Sequence, residues 1–343
     1  MSRNQQRGFS LVELMVSITI GLVLLAGVMS IFFSSRVTYI ANENTARLQE
    51  SGRVALDFLT HDVRAAGYMG CARAVPFNTT LNNPTALLWD YSIPLQGFES
   101  DGAGAWAPAL GAGTLDPAPI NDSDVLVVRS LQRDGRALRV NFSLASLTSD
   151  PNVGAMAPQP YADGSVMMIT DCNASSVFQM NSWNAGQLVH NVGGSTPPGN
   201  ATTDLGYLYQ VGARVAPLAT YIYYVGTDPV TNLPGLYRQT GSTQPAELII
   251  DGVQALQVAY GEDTNGDRIA DQYVAADAVA NWDRVLSVSM AMLVQSDESG
   301  TRTDVNTYPL LPAGIGGQTL GPFNDRRQRM VFTTTIALRN RAL

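Results

Sequence analysis

Residues 263–271 read DTNGDRIAD. Asp263, Asn265, Asp267 and Asp271 fall at positions 1, 3, 5 and 9 of a DxDxDG-type calcium loop, and the carbonyl of Ile269 falls at position 7. Oxygen-only ligands at this spacing suit Ca2+ better than a transition metal. Two residues depart from the pattern: Arg268 stands where glycine is expected, and Val274 where a bidentate Glu is expected. The other reading is a tight polar turn. Asn265–Gly266 is a common hairpin pair, and it follows a strand-like run ending at Tyr260. Calcium here would stiffen a turn and perform no chemistry.

The remaining reactive residues are sparse. The histidines are His61 and His190, and the cysteines are Cys71 and Cys172. No CxxC or HExxH spacing occurs, so a zinc site would need nearly all four together. Every basic residue is Arg, which removes Schiff-base and Walker-type lysine mechanisms. No GxSxG and no Gly-rich phosphate loop is present. Glu247 and Asp251 are a conceivable carboxylate pair, but spacing alone does not bring them face to face. The expectation is a protein without catalysis and without a cofactor beyond the calcium option. The net charge of −8 gives no footprint for nucleic acid.

Residues 9–33 form an apolar run with one formal charge, Glu13. At about 1.5 Å rise per residue the run crosses a hydrocarbon layer of about 30 Å. Arg3 and Arg7 precede it without an acid, so residues 1–8 are expected in the cytoplasm and the body beyond the membrane. A secretory signal would place its small cleavage residue after the apolar core. Here Gly8 lies before it, and a cut there leaves the span on the mature chain. A carboxylate in such a span costs about 2.5–3.5 kcal/mol on insertion scales. Two explanations stand. Glu13 reaches the headgroups at the cytosolic interface, or it is neutralised by a freed amine on Phe9 of a neighbouring chain.

The stretch RGFSLVELMVSITIG resembles the class III leader of type IV pilins and pseudopilins: Gly at the cut, Phe next, Glu fifth. The resemblance implies cleavage after Gly8 by a prepilin peptidase, methylation of the Phe9 amine and an assembly role for the Glu13 carboxylate.

These residues need a long helix and a body to carry them. Val37, Ile40, Ala41, Leu48, Ala55, Leu59, Val63 and Ala66 recur at helical spacing, with Gly67 as a stop. The pattern predicts one helix over 9–66, about 87 Å long, half in lipid or filament and half on the body. Glu43–Arg47 and Arg53–Asp57 are i,i+4 pairs, while Gly21, Gly27 and Gly52 weaken the helix by about 1 kcal/mol each. Period-two runs predict strands at 124–131, 137–144, 165–170, 206–212, 219–225, 235–239, 247–260, 284–294 and 329–338. Stretches 97–121, 146–164, 191–204 and 311–325 read as loops, and 124–144 reads as a hairpin closed at Asp134–Gly135. His61 is placed on the helix in a packing role; His190 has no evident partner in its loop. If the body faces an oxidising compartment, Cys71 and Cys172 are expected to pair; otherwise they are two small buried residues.

AAGYMGC, ITDC, LIIDGVQALQVAYGEDTNGDRIADQYV and FTTTIALRNR together resemble the PilW family of type IV pilus minor pilins, itself similar to J-type pseudopilins of type II secretion. The resemblance implies an α+β, pilin-like fold: a long N-terminal helix on a mainly antiparallel β body with an inserted β subdomain. The expected parts are a leader (1–8), a transmembrane helix (9–33), a packed helix (34–67), a loop-rich β subdomain (68–205) and a C-terminal antiparallel domain (206–343). The implied partners are other minor pilins, the major pilin, a large pilus-tip adhesin and the inner-membrane assembly platform.

Overall fold

The computed structural model describes residues 10–70, 77–111, 113–132, 138–139, 161–184, 187–209, 213–242, 245–299, 306–338 and 340. Leu11–Ala65 form one uninterrupted helix, α1, about 82 Å long. Ser10 caps its start, and Gly67, at φ +70°, turns the chain away after its end. From Leu11 to Tyr39 the apolar side chains are exposed. Beyond that the helix buries one stripe: Leu48, Gly52, Ala55, Leu59 and Val63. The 3- and 4-residue steps of that stripe keep it on one face. The Glu43–Arg47 pair forms at 2.8 Å, whereas no ion pair joins Arg53 to Asp57.

Gly52 has a reason that helix propensity hides. A Cβ there would collide with the ring of Phe332, on the sheet beneath. Alanine at this position raises helix propensity by about 1 kcal/mol, yet Gly52→Ala is expected to lower the melting temperature because the ring must move. Gly52→Ala with Phe332→Leu should recover most of the loss. A single Gly52→Ala variant that melts above the parent would contradict this packing.

Among the described residues the strands that follow, several of two or three residues, are β1 (Phe77–Thr79), β2 (Leu95–Ser100), β3 (Trp106–Ala107), β4 (Val125–Leu131), β5 (Leu138–Arg139), β6 (Val166–Thr170), β7 (Ser175–Gln179), β8 (Ser182–Asn184), β9 (Gln187–Val189), β10 (Arg214–Thr227), β11 (Pro234–Thr240), β12 (Glu247–Asp251), β13 (Val253–Glu262), β14 (Gln272–Val274), β15 (Val285–Ser299), β16 (Tyr308–Leu310), β17 (Gln318–Leu320) and β18 (Arg327–Ala337). The larger sheet runs β1-β7-β6-β10-β4-β2-β3, with β5 and β11 also on β10 and β12 beyond β11. The second runs β14-β13-β15-β18. All named pairs are antiparallel except β1–β7. The α1 stripe packs into one core with Leu126 and Val128 of β4, Tyr223 of β10, Leu256 and Val258 of β13, and Met290 and Met292 of β15.

The expected helix and mainly antiparallel body are present. Some expected strands differ. The run 247–260 is two strands in two different sheets, because Gly252 takes φ +77° between them. There its N–H donates to Pro234 O and its carbonyl accepts from Gln295 N. The sheets therefore divide at Gly252, and the larger sheet draws strands from both sides of the boundary expected near 205. The hairpin expected over 124–144 does not pair with itself within the described residues: β5 lies on β10, since β2 and β10 flank β4. Asp134 and Gly135 lie outside the described residues. Residues 206–209 form no strand; Tyr209 is anchored from a loop by Ser176, at 2.6 Å. Conversely β2 (Leu95–Ser100) runs into a stretch expected to be loop from residue 97.

Candidate functional site

The functional features lie at the start of α1 and where its second half meets the body. Glu13 sits in the first helical turn and makes a reciprocal cap with Ser10. The Ser10 N–H donates to Glu13 Oε2 at 3.1 Å, and the Val12 N–H donates to Ser10 Oγ at 3.2 Å. The carboxylate thus lies at the positive end of the helix dipole. Oε1 has no hydrogen-bond partner among the described residues. Ser17 and Thr19 return their hydroxyls to Glu13 O (2.7 Å) and Val16 O (2.8 Å), so these two hydroxyls are satisfied by the helix itself. The apolar first part of α1 is not buried in the body, and the helix is long and apolar enough to cross a membrane. Gly8 and Phe9 lie outside the described residues.

The packed half of α1 is fastened by a polar clamp that periodicity did not reveal. Asp62 is 3% exposed. Its Oδ2 accepts from the Tyr223 hydroxyl at 2.5 Å, and Arg238 Nη1 stands 4.0 Å away. His61 Nδ1 lies 3.0 Å from Oδ1. Arg238 also donates to Glu247 at 2.9 Å and lies over the rings of Phe58 and Tyr221. Burial and the neighbouring Asp62 push the Tyr223 phenol far up, so it stays a donor. A buried charge needs such partners. Glu247 therefore serves the clamp, while Asp251 stands at the other end of β12. A fully buried cation, Arg129, donates to Ile93 O (2.5 Å), Leu87 O (2.5 Å) and Gln96 Oε1 (3.3 Å). It ties the 87–96 segment to β4, and burial pushes its guanidinium down to about 10.

Residues 263–271 close the hairpin between β13 and β14. Asp263 accepts from the N–H groups of Gly266 (2.5 Å) and Arg268 (2.9 Å), Asn265 from Asp267 (2.8 Å), and Asp267 from Ile269 (2.8 Å). Asp271 accepts from Thr264 N–H and hydroxyl, both at 2.8 Å, and these bonds hold its carboxyl below the usual range. The acidic oxygens thus serve the loop's own backbone. Arg268 adopts φ +68°, the left-handed conformation for which a glycine was expected. Among the described residues no group of three acidic, His or Cys side chains could hold a metal ion.

Cys172 is disulfide-bonded; Cys71 lies outside the described residues. His190 is buried rather than idle, with Nε2 3.3 Å from Thr203 O and its ring 5.0 Å from that of Phe178.

The comparisons add two matches along this chain. Residues 222–340, from the middle of β10 through β18, match the family PilW, type IV pilus-assembly protein W. Residues 3–29 match the prokaryotic N-terminal methylation motif. Over these two stretches the chain is similar to PilW pilus-assembly proteins and to N-terminally methylated chains. The PilW match takes in the whole four-stranded sheet, together with Tyr223, Arg238 and Glu247 of the clamp. The methylation motif takes in Gly8, Phe9 and Glu13. A type IV-like pilin from Thermus thermophilus aligns over 86% of this chain and 98% of its own, at 10% identity and a TM-score of 0.34. No curated protein matches the chain.

Proposed function

We propose that this PilW-domain protein is a minor pilin that primes type IV pilus assembly at or just below the tip. The observation that carries the reading is the division of α1. Its first half is bare and apolar with a lone carboxylate in the first turn, and its second half is fixed in the PilW domain. In this reading the chain waits in the inner membrane with residues 1–8 in the cytoplasm and the body in the periplasm. A prepilin peptidase cuts after Gly8 and methylates Phe9. Glu13 then meets the Phe9 amine of a neighbour as the bare helix enters the filament. The Ser10 cap survives such a cut, because Ser10 becomes the second residue of the mature chain.

Its partners are other minor pilins, the major pilin, a large tip adhesin and the assembly platform. The role is structural, with no catalytic residue assigned. Cys71 is assigned as the partner of Cys172, tying the end of α1 to the β6–β7 turn. We assign the 263–271 loop to a turn that needs no ion. Its chelation by EDTA is expected to leave the melting temperature unchanged; a rise with millimolar calcium, the mark of a ligand held only by the folded state, would restore the calcium reading.

The second reading is a J-type pseudopilin of type II secretion, built from the same parts. Deletion separates the two. Loss of surface pili with secretion intact, and detection of the chain in sheared pili, support the first. Loss of protein secretion with pili intact overturns it. A membrane-anchored periplasmic binding domain, the third reading, predicts neither loss.

A further inference from the structure

The two sheets meet where the start of β4 runs beside β13. Asp124 N–H donates to Leu256 O at 2.9 Å, and the Leu256 N–H donates to Ser123 Oγ at 3.1 Å. The Asp124 carboxylate itself spans the seam: Oδ1 accepts from Ser100 N–H of β2 at 3.0 Å, and Oδ2 from Val258 N–H of β13 at 2.9 Å. One side chain, 1% exposed, therefore ties β2, β4 and β13 together.

The charged groups that act on Asp124 are acids: Glu99 of β2 and Asp277 of the short turn 276–278. Glu99 accepts from Ala276 N–H at 3.4 Å. From β13 the Tyr260 hydroxyl faces the same cluster, fully buried and without a hydrogen-bond partner. It is pressed against Gly97 of β2, where a Cβ would collide with it. Asp122, the next acid along the chain, is instead engaged by Gln318 Nε2 at 3.4 Å. Asp124 is buried, Glu99 half-buried and Asp277 exposed, and a buried carboxylate beside a second acid is costly to ionise. A proton on one of the two neighbouring acids relieves that cost.

We propose that Glu99 and Asp124 hold a proton between them at this seam, and that its loss loosens β2 and β4 from β13, so that the body is tightest in mildly acidic medium. Burial, reinforced by the neighbouring acids, raises Glu99 from 4.5 to about 7 and moves Asp124 the same way. Carboxyls raised on folding stabilise the native state most below their unfolded value. That contribution is lost as pH rises through the window from 4.5 to about 7. Asp325 works in the opposite sense, held at about 2 by Arg329, so its contribution is constant across this window.

The test is amide hydrogen exchange of the full chain in detergent micelles, corrected for the intrinsic pH dependence. The opening constant at the Ser100 and Val258 amides is expected to rise about tenfold between about pH 5.5 and pH 8, the equivalent of one unit of proton linkage. In Glu99→Gln the rise should shrink to about twofold or less, while amides at the β15–β18 pairing stay unchanged in both proteins. A pH-independent opening constant in the parent, or an equal rise in Glu99→Gln, overturns the proposal. Should Glu99→Gln fail to fold, Asp277→Asn decides: the midpoint must move to lower pH, and an unmoved midpoint overturns it. This readout does not depend on pilus assembly, so it fails or succeeds apart from the proposed function.

Discussion

Glu13→Ala inserts into the membrane as the parent does and is missing from sheared pili. Insertion is indifferent because the apolar run around residue 13 is long, and removing a carboxylate makes the span easier to bury by about 2.5–3.5 kcal/mol. Incorporation suffers because the alanine has nothing to offer a neighbour's amine. Losing only ~1.4 kcal/mol of that pairing lowers the incorporated fraction about tenfold. The capping bond from Ser10 to Glu13 makes a sharper variant available. Glutamine can still close a capping box but carries no charge. Glu13→Gln is therefore expected to be as absent from pili as Glu13→Ala, judged by immunoblot of sheared fractions against membranes. Parent-level incorporation of Glu13→Gln would assign the residue to helix capping and remove the charge from the assembly account.

The second large effect is expected at Asp62. Asp62→Ala leaves the Tyr223 hydroxyl buried without an acceptor and takes from Arg238 its neighbour on the helix. Such a broken buried network costs about 3–5 kcal/mol, read as a lower denaturation midpoint of the full chain in micelles. Asp62→Ala combined with Tyr223→Phe should cost less than Asp62→Ala alone, since no orphaned hydroxyl remains. Full additivity of the two substitutions would show that the 2.5 Å contact carries no coupling.

The sequence carried the outline of this molecule unevenly, and the physical reasons differ by element. α1 was legible because two period signals coincide along it: an unbroken apolar run, then a stripe at 48, 55, 59 and 63 that the structure buries. Strands such as β10, β15 and β18 were legible because alternation or long apolar runs survive burial on one or both faces. The division at Gly252 was not, because Ile249–Asp251 and Val253–Ala255 share one strand-like pattern, and one left-handed glycine sends them to separate sheets. β2 was hidden among glycine and polar residues, where pairing with β4 overrides weak local preference. Gly8, Phe9 and Glu13 stand out in the sequence because their spacing is itself the signal, within the stretch that matches the methylation motif. Asp62 and Arg129 do not. Each looks like a solvent-facing charge until tertiary packing supplies Tyr223 to one and three oxygen acceptors to the other.

Mass spectrometry of the chain's N-terminus, isolated from sheared pili, tests the central claim most directly. The account predicts a first residue Phe9 carrying one added methyl group, with Met1–Gly8 gone. A chain that still begins at Met1, or that is cut after the apolar run, would contradict it, because no freed amine would then lie in the layer where Glu13 needs a partner.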